Sequence, residues 1–556
     1  MCAVAIIKLF RNILFCLYGL KQSKTTTVKG FMKKVFLVLI LVLSIQSFGN
    51  QIDVWTYPPE TISSDNVDAT NLSLAADENG NAIGVWIENG VVVSRSKLLN
   101  QSWDPLVALS VNGASSAQIV VDPSGNATAV WVESNSVKTA DKLFGGSWSS
   151  ESSLSLASSS EPQIAVCSNG DIVAVWVEGG VIKSSTKLFG GSWSATPDTL
   201  SSSGASFPQV AIGNNGDVFA TWHAQDSQTL INTVYVSTKS ISGSWSTEAP
   251  ISSSNQNSAY AKIAVDASGN ATAIWFGYNI SNQIYSNVQV QSAYYQEEDL
   301  TWSTPESIST GGIANPGNLM SQIFYSSSGF PAAVWTNSYD GSNYAVQSSQ
   351  RTMLQSWLEP STLAKYTYAY SIDLAISNVN DLFVAYMAND QFTSDTSIYT
   401  RESQVCPDVG CGWSVPTLLS TGSSNGYPEI TAVITGGTTT NAIAAWISFN
   451  GTNKIIQSVT GSGTLVIPPS NPAVSQSVYD SGLFDEYYNT ITWSPSSDPN
   501  LSGYLIYRNG MSLTYLSPDV LSYIDHNQGQ NVPVTYGIGA LDSDNSESSI
   551  VYVSFP

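Results

Sequence analysis

Fifteen of the 16 tryptophans fall into two interleaved series, and a repeat of this kind limits the chain to architectures built from one recurring unit. The first series is Trp86, Trp131, Trp176, Trp222, Trp275, Trp335 and Trp446, with Tyr386 in the one vacant place. The second is Trp55, Trp103, Trp148, Trp193, Trp245, Trp302, Trp357 and Trp413, and Trp493 stands outside both.

The unit around the first series reads, over residues 118–133, as a short apolar strand, the turn Asp122-Pro-Ser-Gly125-Asn126 and a second strand. The turn recurs at Asp77 to Asn81, Asn214 to Asp217 and Asp266 to Asn270. Gly lies six residues before six of the seven tryptophans, Trp446 excepted, because a tight hairpin needs one residue at positive φ, which Gly adopts without steric cost. Asn380 takes that place in the seventh unit, and Asn is among the next most tolerant residues. A third strand follows, as at 137–143 or 181–188, then Phe144-Gly-Gly-Ser-Trp148 or Phe189-Gly-Gly-Ser-Trp193 opens a fourth. The second strand is apolar on nearly every residue (172–177, 271–276), as expected of a strand covered on both faces.

Four strands per unit, at spacings of 45 to 60 residues, are the signature of propeller blades. The eighth unit has three strands (429–433, 442–448, 454–460) but no Trp-led fourth. The start of the chain supplies one, since Trp55 to Ser63 resembles Trp245 to Ser252. The expectation is therefore an all-β chain: an eight-bladed β-propeller over 51–463, closed by an N-terminal outer strand that removes an open sheet edge, with seven blades as the alternative.

Met32, Lys33 and Lys34 precede the apolar run 35–43, and Ser47-Phe48-Gly49 offers small residues at a cleavage site, so 32–49 reads as a signal peptide. Residues 1–31 read as an N-terminal extension from a start placed too early. The run is too short to span a bilayer, so no stable membrane insertion is expected after cleavage, and the protein is placed in the periplasm, at the cell surface or outside the cell. Beyond residue 50, 42 acids face the 13 basic residues that remain of 20, a net charge of −29. That field repels phosphate backbones, so nucleic acid is excluded as a partner and neutral or cationic partners are favoured. Charged residues are only 11% of the chain and aromatics 11%, the composition of a folded β protein rather than a disordered one.

Cys406 and Cys411 are a disulfide candidate in an oxidising compartment, which leaves Cys167 alone. With two histidines in the chain and no second cysteine pair, no metal site is expected. Neither a phosphate-cradling loop nor an EF-hand pattern is present, and no cofactor is expected.

Residues 464–556 contain Thr490-Ile-Thr-Trp493, Gly503-Tyr-Leu-Ile-Tyr507-Arg508-Asn509-Gly510 and Val534-Thr-Tyr536-Gly-Ile-Gly-Ala540. This segment resembles a fibronectin type III domain, with Trp493 as the core tryptophan and Tyr536 as the tyrosine near strand F. The resemblance implies adhesion or spacing rather than catalysis. The repeat resembles, in form only, the bacterial propellers that include sialidases. The arginine triad of a sialidase is not matched: Arg95, Arg351 and Arg401 all fall on predicted third strands, and the Asp-box spacing is absent.

Glu88, Glu133 and Glu178 lie two residues after their Trp, where paired carboxylates would serve a glycoside hydrolase; a repeated polar strand end is the plainer reading. His223 has a similar place in the fourth unit, without a partner for base catalysis. The tryptophans are read as core rather than sugar platforms. Ligand-binding candidates lie in the longer second-to-third-strand loops: Gln225, Asp226, Tyr278, Asn279, Asn337, Tyr339, Asp340, Tyr344, Asn389, Asp390, Phe449, Asn450 and Asn453. Such loops share one face of a propeller. The expected function is that of an exported, monomeric, non-enzymatic binding or adhesion protein that recognises a protein or glycan through that face. A glycoside-acting hydrolase and a structural envelope component are the alternatives.

Overall fold

The computed structural model describes residues 54–555 except 327–328, 339–342, 353–355, 367–370, 378–380, 390–395, 405–412, 415, 421–424, 436–438, 465, 481–484, 499, 510, 544–547 and 549. The described residues are all-β, and among them eight antiparallel sheets occupy the part up to Thr464. Each is numbered here by its second strand, the one that carries the inner aromatic. These are Ala82–Glu88, Ala127–Glu133, Ile172–Glu178, Asp217–Gln225, Ala271–Ser281, Pro331–Ser338, Asp381–Asn389 and Thr439–Phe449, for sheets one to eight.

Within sheets one to seven the strands follow chain order, each hydrogen-bonded to the next, apart from Glu306–Ser307, which also pairs with the third strand of sheet five. The first strands of successive sheets stand side by side, and the first strand of sheet eight, Gly426–Thr435, lies beside Ala69–Ala76 of sheet one. The first strands thus form a closed, propeller-like circuit. Neighbouring first strands are also joined directly: the Ala117 amide donates to Asn71 Oδ1, and the Phe207 amide to Glu161 Oε2 at 2.6 Å.

Burial between neighbouring sheets supplies the main stabilisation. The seven inner tryptophans and Tyr386 are completely buried, and the second strands of sheets one, two and six are buried at every position. Fully burying one aromatic or aliphatic side chain is worth about 1.5–3 kcal/mol, and every sheet interface repeats the gain.

The turn glycines Gly80, Gly125, Gly170, Gly216, Gly269 and Gly329 have φ between +79° and +94°, as their spacing from the tryptophans requires. In the second unit Asp122 closes the turn, with Oδ1 accepting from the amides of Ser124 and Asn126, both at 2.9 Å. Cys167 takes the aspartate's place in sheet three, where its buried thiol donates to Asn169 Oδ1. Asn380, the expected substitute in the seventh unit, lies outside the described residues.

The fourth strand of sheet five opens on Thr301–Trp302 as expected, whereas those of sheets one to three do not open on the tryptophan. Trp103, Trp148, Trp193 and Trp357 make isolated bridges to the third strand, and a two-residue ladder follows further on in the first three of these sheets, as at Ser152–Ser153. Instead of continuing a ladder, several of these side chains reach a neighbouring sheet. The indole N–H groups of Trp245 and Trp357 donate to Ser184 at 2.8 Å and Ser292 at 3.3 Å, and Trp103 of sheet one donates to Ser458 of sheet eight at 3.0 Å. Sheet eight is completed by the N-terminal segment: Trp55 pairs with Gly461 and Glu60 with Ser458.

Beyond the circuit, a three-stranded sheet (Ser470–Asp480, Asp485–Ser494, Ser522–Gln528) and a four-stranded one (Leu501–Arg508, Met511–Leu516, Val534–Asp542, Val551–Phe555) share one core around Ile491, Trp493, Tyr504, Tyr536 and Ile538. The buried Tyr536 hydroxyl donates to Asp525 at 2.7 Å and accepts from Asn489 at 3.0 Å, while Arg508 pairs with Asp525 at 2.9 Å.

Candidate functional site

In sheets one and three the glutamate two residues after the inner tryptophan caps the indole. Trp86 donates to Glu88 Oε1 at 2.8 Å and Trp176 to Glu178 Oε2 at 3.0 Å. The same carboxylates accept amides from the preceding loop, Ser64 onto Glu88 at 2.9 Å and Leu156 onto Glu178 at 3.2 Å, and Val111 donates to Glu133 at 3.0 Å. Burial, followed by the nearby Glu151, pushes the Glu133 carboxyl up. Sheets five and six lack the glutamate and use a cross-strand glutamine, Gln291 for Trp275 at 2.9 Å and Gln347 for Trp335 at 3.2 Å. These groups hold buried donors, a structural task that explains their recurrence.

The loop candidates divide sharply on inspection of their partners. Asp226 is fully exposed and closes its own loop, accepting from Gln228 and Thr229; the Thr229 contacts foremost hold its carboxyl below the usual range. Asn450 does likewise, accepting from Thr452 and Asn453 and donating to the Asp65 carbonyl at 3.0 Å. Gln225 donates to the Leu230 carbonyl at 3.1 Å. Asn279 is exposed on the ladder opposite Ser286, Phe449 is 47% exposed, and Tyr344 begins the third strand of sheet six.

Tyr278, Asn337 and Asn389 are buried inside second strands that run longer than the sequence pattern suggests. The Tyr278 hydroxyl accepts from Asn232 at 3.0 Å, and burial pushes it up; Asn337 donates to the Thr310 carbonyl at 3.2 Å. These two are packing residues, not free ligand contacts. Tyr339, Asp340, Asp390, Cys406 and Cys411 lie outside the described residues.

His223 is buried, stacked on Phe207 with ring centres 5.2 Å apart, and edge-on to Tyr260. Its Nδ1 accepts the Tyr260 amide at 3.4 Å, which places the proton on Nε2, 3.2 Å from Ser206 Oγ. Desolvation pulls the imidazole down to about 4. Among the described residues no carboxylate is paired with it, so there it lacks the orienting partner of a catalytic base.

Two features of the first strands escaped the sequence reading. In six sheets the strand carries a bulge at a residue with φ between +51° and +58°: Asn71, Ser116, Glu161, Phe207, Tyr260 and Tyr427. None is glycine, and a bulge re-aims the side chain it carries. The bulges lie toward the end that bears the second-to-third-strand loops. There Phe207 is 43% and Tyr427 63% exposed, alongside the exposed Leu230, Ile280 and Ile284.

The second feature is a belt of polar residues, each paired with the residue just before the inner aromatic: Ser73, Gln118, Gln163, Gln209, Lys262, Gln322, Asp373 and Glu429. Their side chains reach along the circuit. Lys262 donates to Gln209 at 3.1 Å, Gln322 to Asp373 at 3.2 Å, and the Ile430 amide to Asp373 at 2.8 Å. Desolvation holds Asp373 up at about 6 and raises Glu429 well above its ordinary value, the Asp373 charge adding to it, while burial lowers Lys262.

No family model matches the chain, and no curated protein matches it. Among solved structures it is similar to the Dos1 propeller (8% identity, 75% of this chain and 96% of that one, TM-score 0.43). It is also similar to a PL25 ulvan lyase bound to -[GlcA(1-4)Rha3S]- (9% identity, 60% and 89%, TM-score 0.40). A fungal alcohol oxidase of the AA5 family in complex with copper gives 12% identity, 91% and 99% coverage and a TM-score of 0.39. These likenesses carry no activity or residue role to this chain.

Proposed function

We propose that the chain is an exported recognition protein without catalytic activity: an eight-bladed β-propeller closed by its N-terminal outer strand, followed by a fibronectin type III-like spacer. It binds a protein or glycan partner through the face that carries the second-to-third-strand loops. The circuit of first strands and the pairing of residues 54–61 with Lys454–Thr464 support eight blades over seven.

The observation that carries the reading is the chemistry left free on that face. Its repeated carboxylates are committed to indole and amide donors, whereas Phe207, Tyr427 and Phe449 are exposed there, two of them on strained bulges. Exposed aromatics amid amides suit a sugar face or a peptide and offer nothing to a bond-breaking step.

The test is a glycan array and an affinity capture from envelope extract, run with the protein and with its Phe207→Ala and Tyr427→Ala variants. Saturable binding to a defined glycan or protein that both variants weaken at least tenfold supports the reading. Turnover of a chromogenic glycoside that Glu178→Gln abolishes would overturn it.

A further inference from the structure

In sheets one to four the residue six before the second-series tryptophan is a lysine, Lys97, Lys142, Lys187 and Lys239; sheet five has Gln296 there and sheet six has Arg351. Two of these lysines are taken by the preceding sheet. Lys187 pairs with Asp141 at 2.7 Å and Lys239 donates to Thr186 at 2.6 Å, and Asp141 and Thr186 each stand one residue before the lysine of their own sheet. The corresponding residue of sheet five is Tyr295, a buried aromatic. The Arg351 guanidinium lies instead over the ring of Tyr294, 3.5 Å from its centre. The repeat changes at this junction, and a cleft opens there.

The cleft measures about 130 Å³ and lies between sheets five and six, at the end that carries the first-to-second-strand turns and away from the second-to-third-strand loops. Arg351, 6% exposed, and Asp266 form its buried part, while Tyr294, Gln296, Tyr325 and Phe330 are partly exposed around them and leave it open to solvent. Asp266 is spent on its own turn: Oδ1 accepts the amides of Ser268 at 2.8 Å and Asn270 at 2.9 Å, and Oδ2 accepts the Asn270 side-chain amide at 2.8 Å. A guanidinium with one face on an aromatic ring keeps its N–H fork in a plane parallel to that ring, where a carboxylate can meet it through two parallel hydrogen bonds. The rings beside it cover hydrocarbon, and the Gln296 amide at the mouth supplies a polar contact, the usual make-up of a small-ligand site.

We propose that the cleft between sheets five and six binds a small carboxylate, with Arg351 taking the charged end and Tyr294, Tyr325 and Phe330 covering the body that bears it. The cleft is smaller than the pockets that enclose drug-sized molecules, so its occupant is a single ring or a short chain. The carboxylate comes either from a free hydrocarbon acid or from a uronic sugar. None of the loop-face residues lines the cleft, so this site stands or falls independently of recognition through that face.

The experiment is titration calorimetry of the full protein at pH 7.5 with cyclohexanecarboxylate, with glucuronate and with cyclohexanecarboxamide. At least one of the two carboxylates is expected to bind saturably, and the uncharged amide at least tenfold more weakly. Arg351→Met is expected to abolish binding, and Arg351→Lys to weaken it at least tenfold, because an ammonium lacks the planar fork. Gln296→Lys puts the lysine of sheets one to four at the mouth of the cleft and is expected to strengthen carboxylate binding severalfold, a gain that a folding defect would not give. Tighter binding of glucuronate identifies the acidic sugar as the source, and tighter binding of cyclohexanecarboxylate the hydrocarbon acid. Equal binding of carboxylate and amide, equal binding by wild type and Arg351→Met, or no saturation by either carboxylate would overturn the proposal and leave Arg351 as a clamp between sheets five and six.

Discussion

The indole N–H of Trp275 donates to Gln291 Oε1 at 2.9 Å across the strand pair where sheets one and three use a glutamate on the same strand. The position of that glutamate is Gly277 in sheet five, and a Cβ there would come within 2.5 Å of Gln291 Cδ and Oε1. The glycine is thus the counterpart of the glutamine: it clears the space through which Gln291 reaches the indole. Gly277→Ala forces Gln291 away and leaves a buried donor unpaired, at a cost of about 1–3 kcal/mol. Urea unfolding checks it, and Gln291→Leu should cost a similar amount.

Where the cap is a glutamate, charge and hydrogen bonding can be separated. Glu178 accepts from both Trp176 and the Leu156 amide through Oε2. Glu178→Gln keeps an acceptor there and should change stability by less than about 1 kcal/mol, whereas Glu178→Ala orphans two donors and should cost about 2–3 kcal/mol. Binding to any loop-face partner is expected to survive Glu178→Gln. A catalytic carboxylate would give the opposite ranking, with glutamine as damaging as alanine.

His223 predicts an acid-side loss of stability. Its folded value of about 4 lies below the unfolded one near 6.5, so the unfolded chain binds the extra proton as pH falls between the two. The contribution is present in full above pH 6.5 and declines by up to roughly 3 kcal/mol on the way to pH 4. Asp373 and Glu429, both raised, act in the opposite direction over part of that window, so the comparison must be made against a variant. Unfolding curves for wild type and His223→Gln at pH 7.5 and 4.5 should show the gap between them narrow or reverse in acid.

The bulges separate strain from contact. Ser116 has φ +54° and a small side chain, so Ser116→Gly should leave stability within about 1 kcal/mol of wild type or raise it, while Ser116→Val should lower it by about 1–2 kcal/mol, because a β-branched residue tolerates that conformation poorly. Thermal unfolding of the pair decides whether the left-handed residue is tolerated or required.

The repeat was legible because its constraints are local. A positive φ six residues before six of the inner tryptophans demands Gly, and a strand covered on both faces demands an apolar run, so Gly125 and the segment Ala127–Glu133 announce themselves. The belt was illegible for the converse reason. Each bulge shifts the two-residue alternation of the strand, and the eight belt positions hold four residue types besides glutamine, so no pattern in one chain links Ser73 to Lys262 or Asp373. The sequence pattern places Tyr278 and Asn337 in loops because polar groups end an apolar run; their burial depends on neighbours such as Asn232 and Thr310, far away in sequence. The indole caps were half visible: Glu88 and Glu178 stand at a fixed offset, but Gln291 and Gln347 belong to another strand.

Closure of the circuit gives the last prediction. The N-terminal segment covers the third strand of sheet eight: Trp55 pairs with Gly461 and packs on the core beneath it, Glu60 pairs with Ser458, and Ile62 is completely buried. A chain starting at residue 66 loses that burial and exposes the edge of Lys454–Thr464, a strand of 11 residues. Losing one large buried side chain costs about 2–5 kcal/mol, and a long bare edge recruits other strands. The truncated chain is therefore expected to unfold at lower urea and to associate through that edge in sedimentation, while a peptide of residues 54–65 added in excess restores the monomer. Ser458→Ala, which removes only the acceptor for Trp103, should cost about 1 kcal/mol and cause no association. If the truncated chain were as stable and monomeric as the whole, sheet eight would be complete without its N-terminal strand and the closure reading would fail.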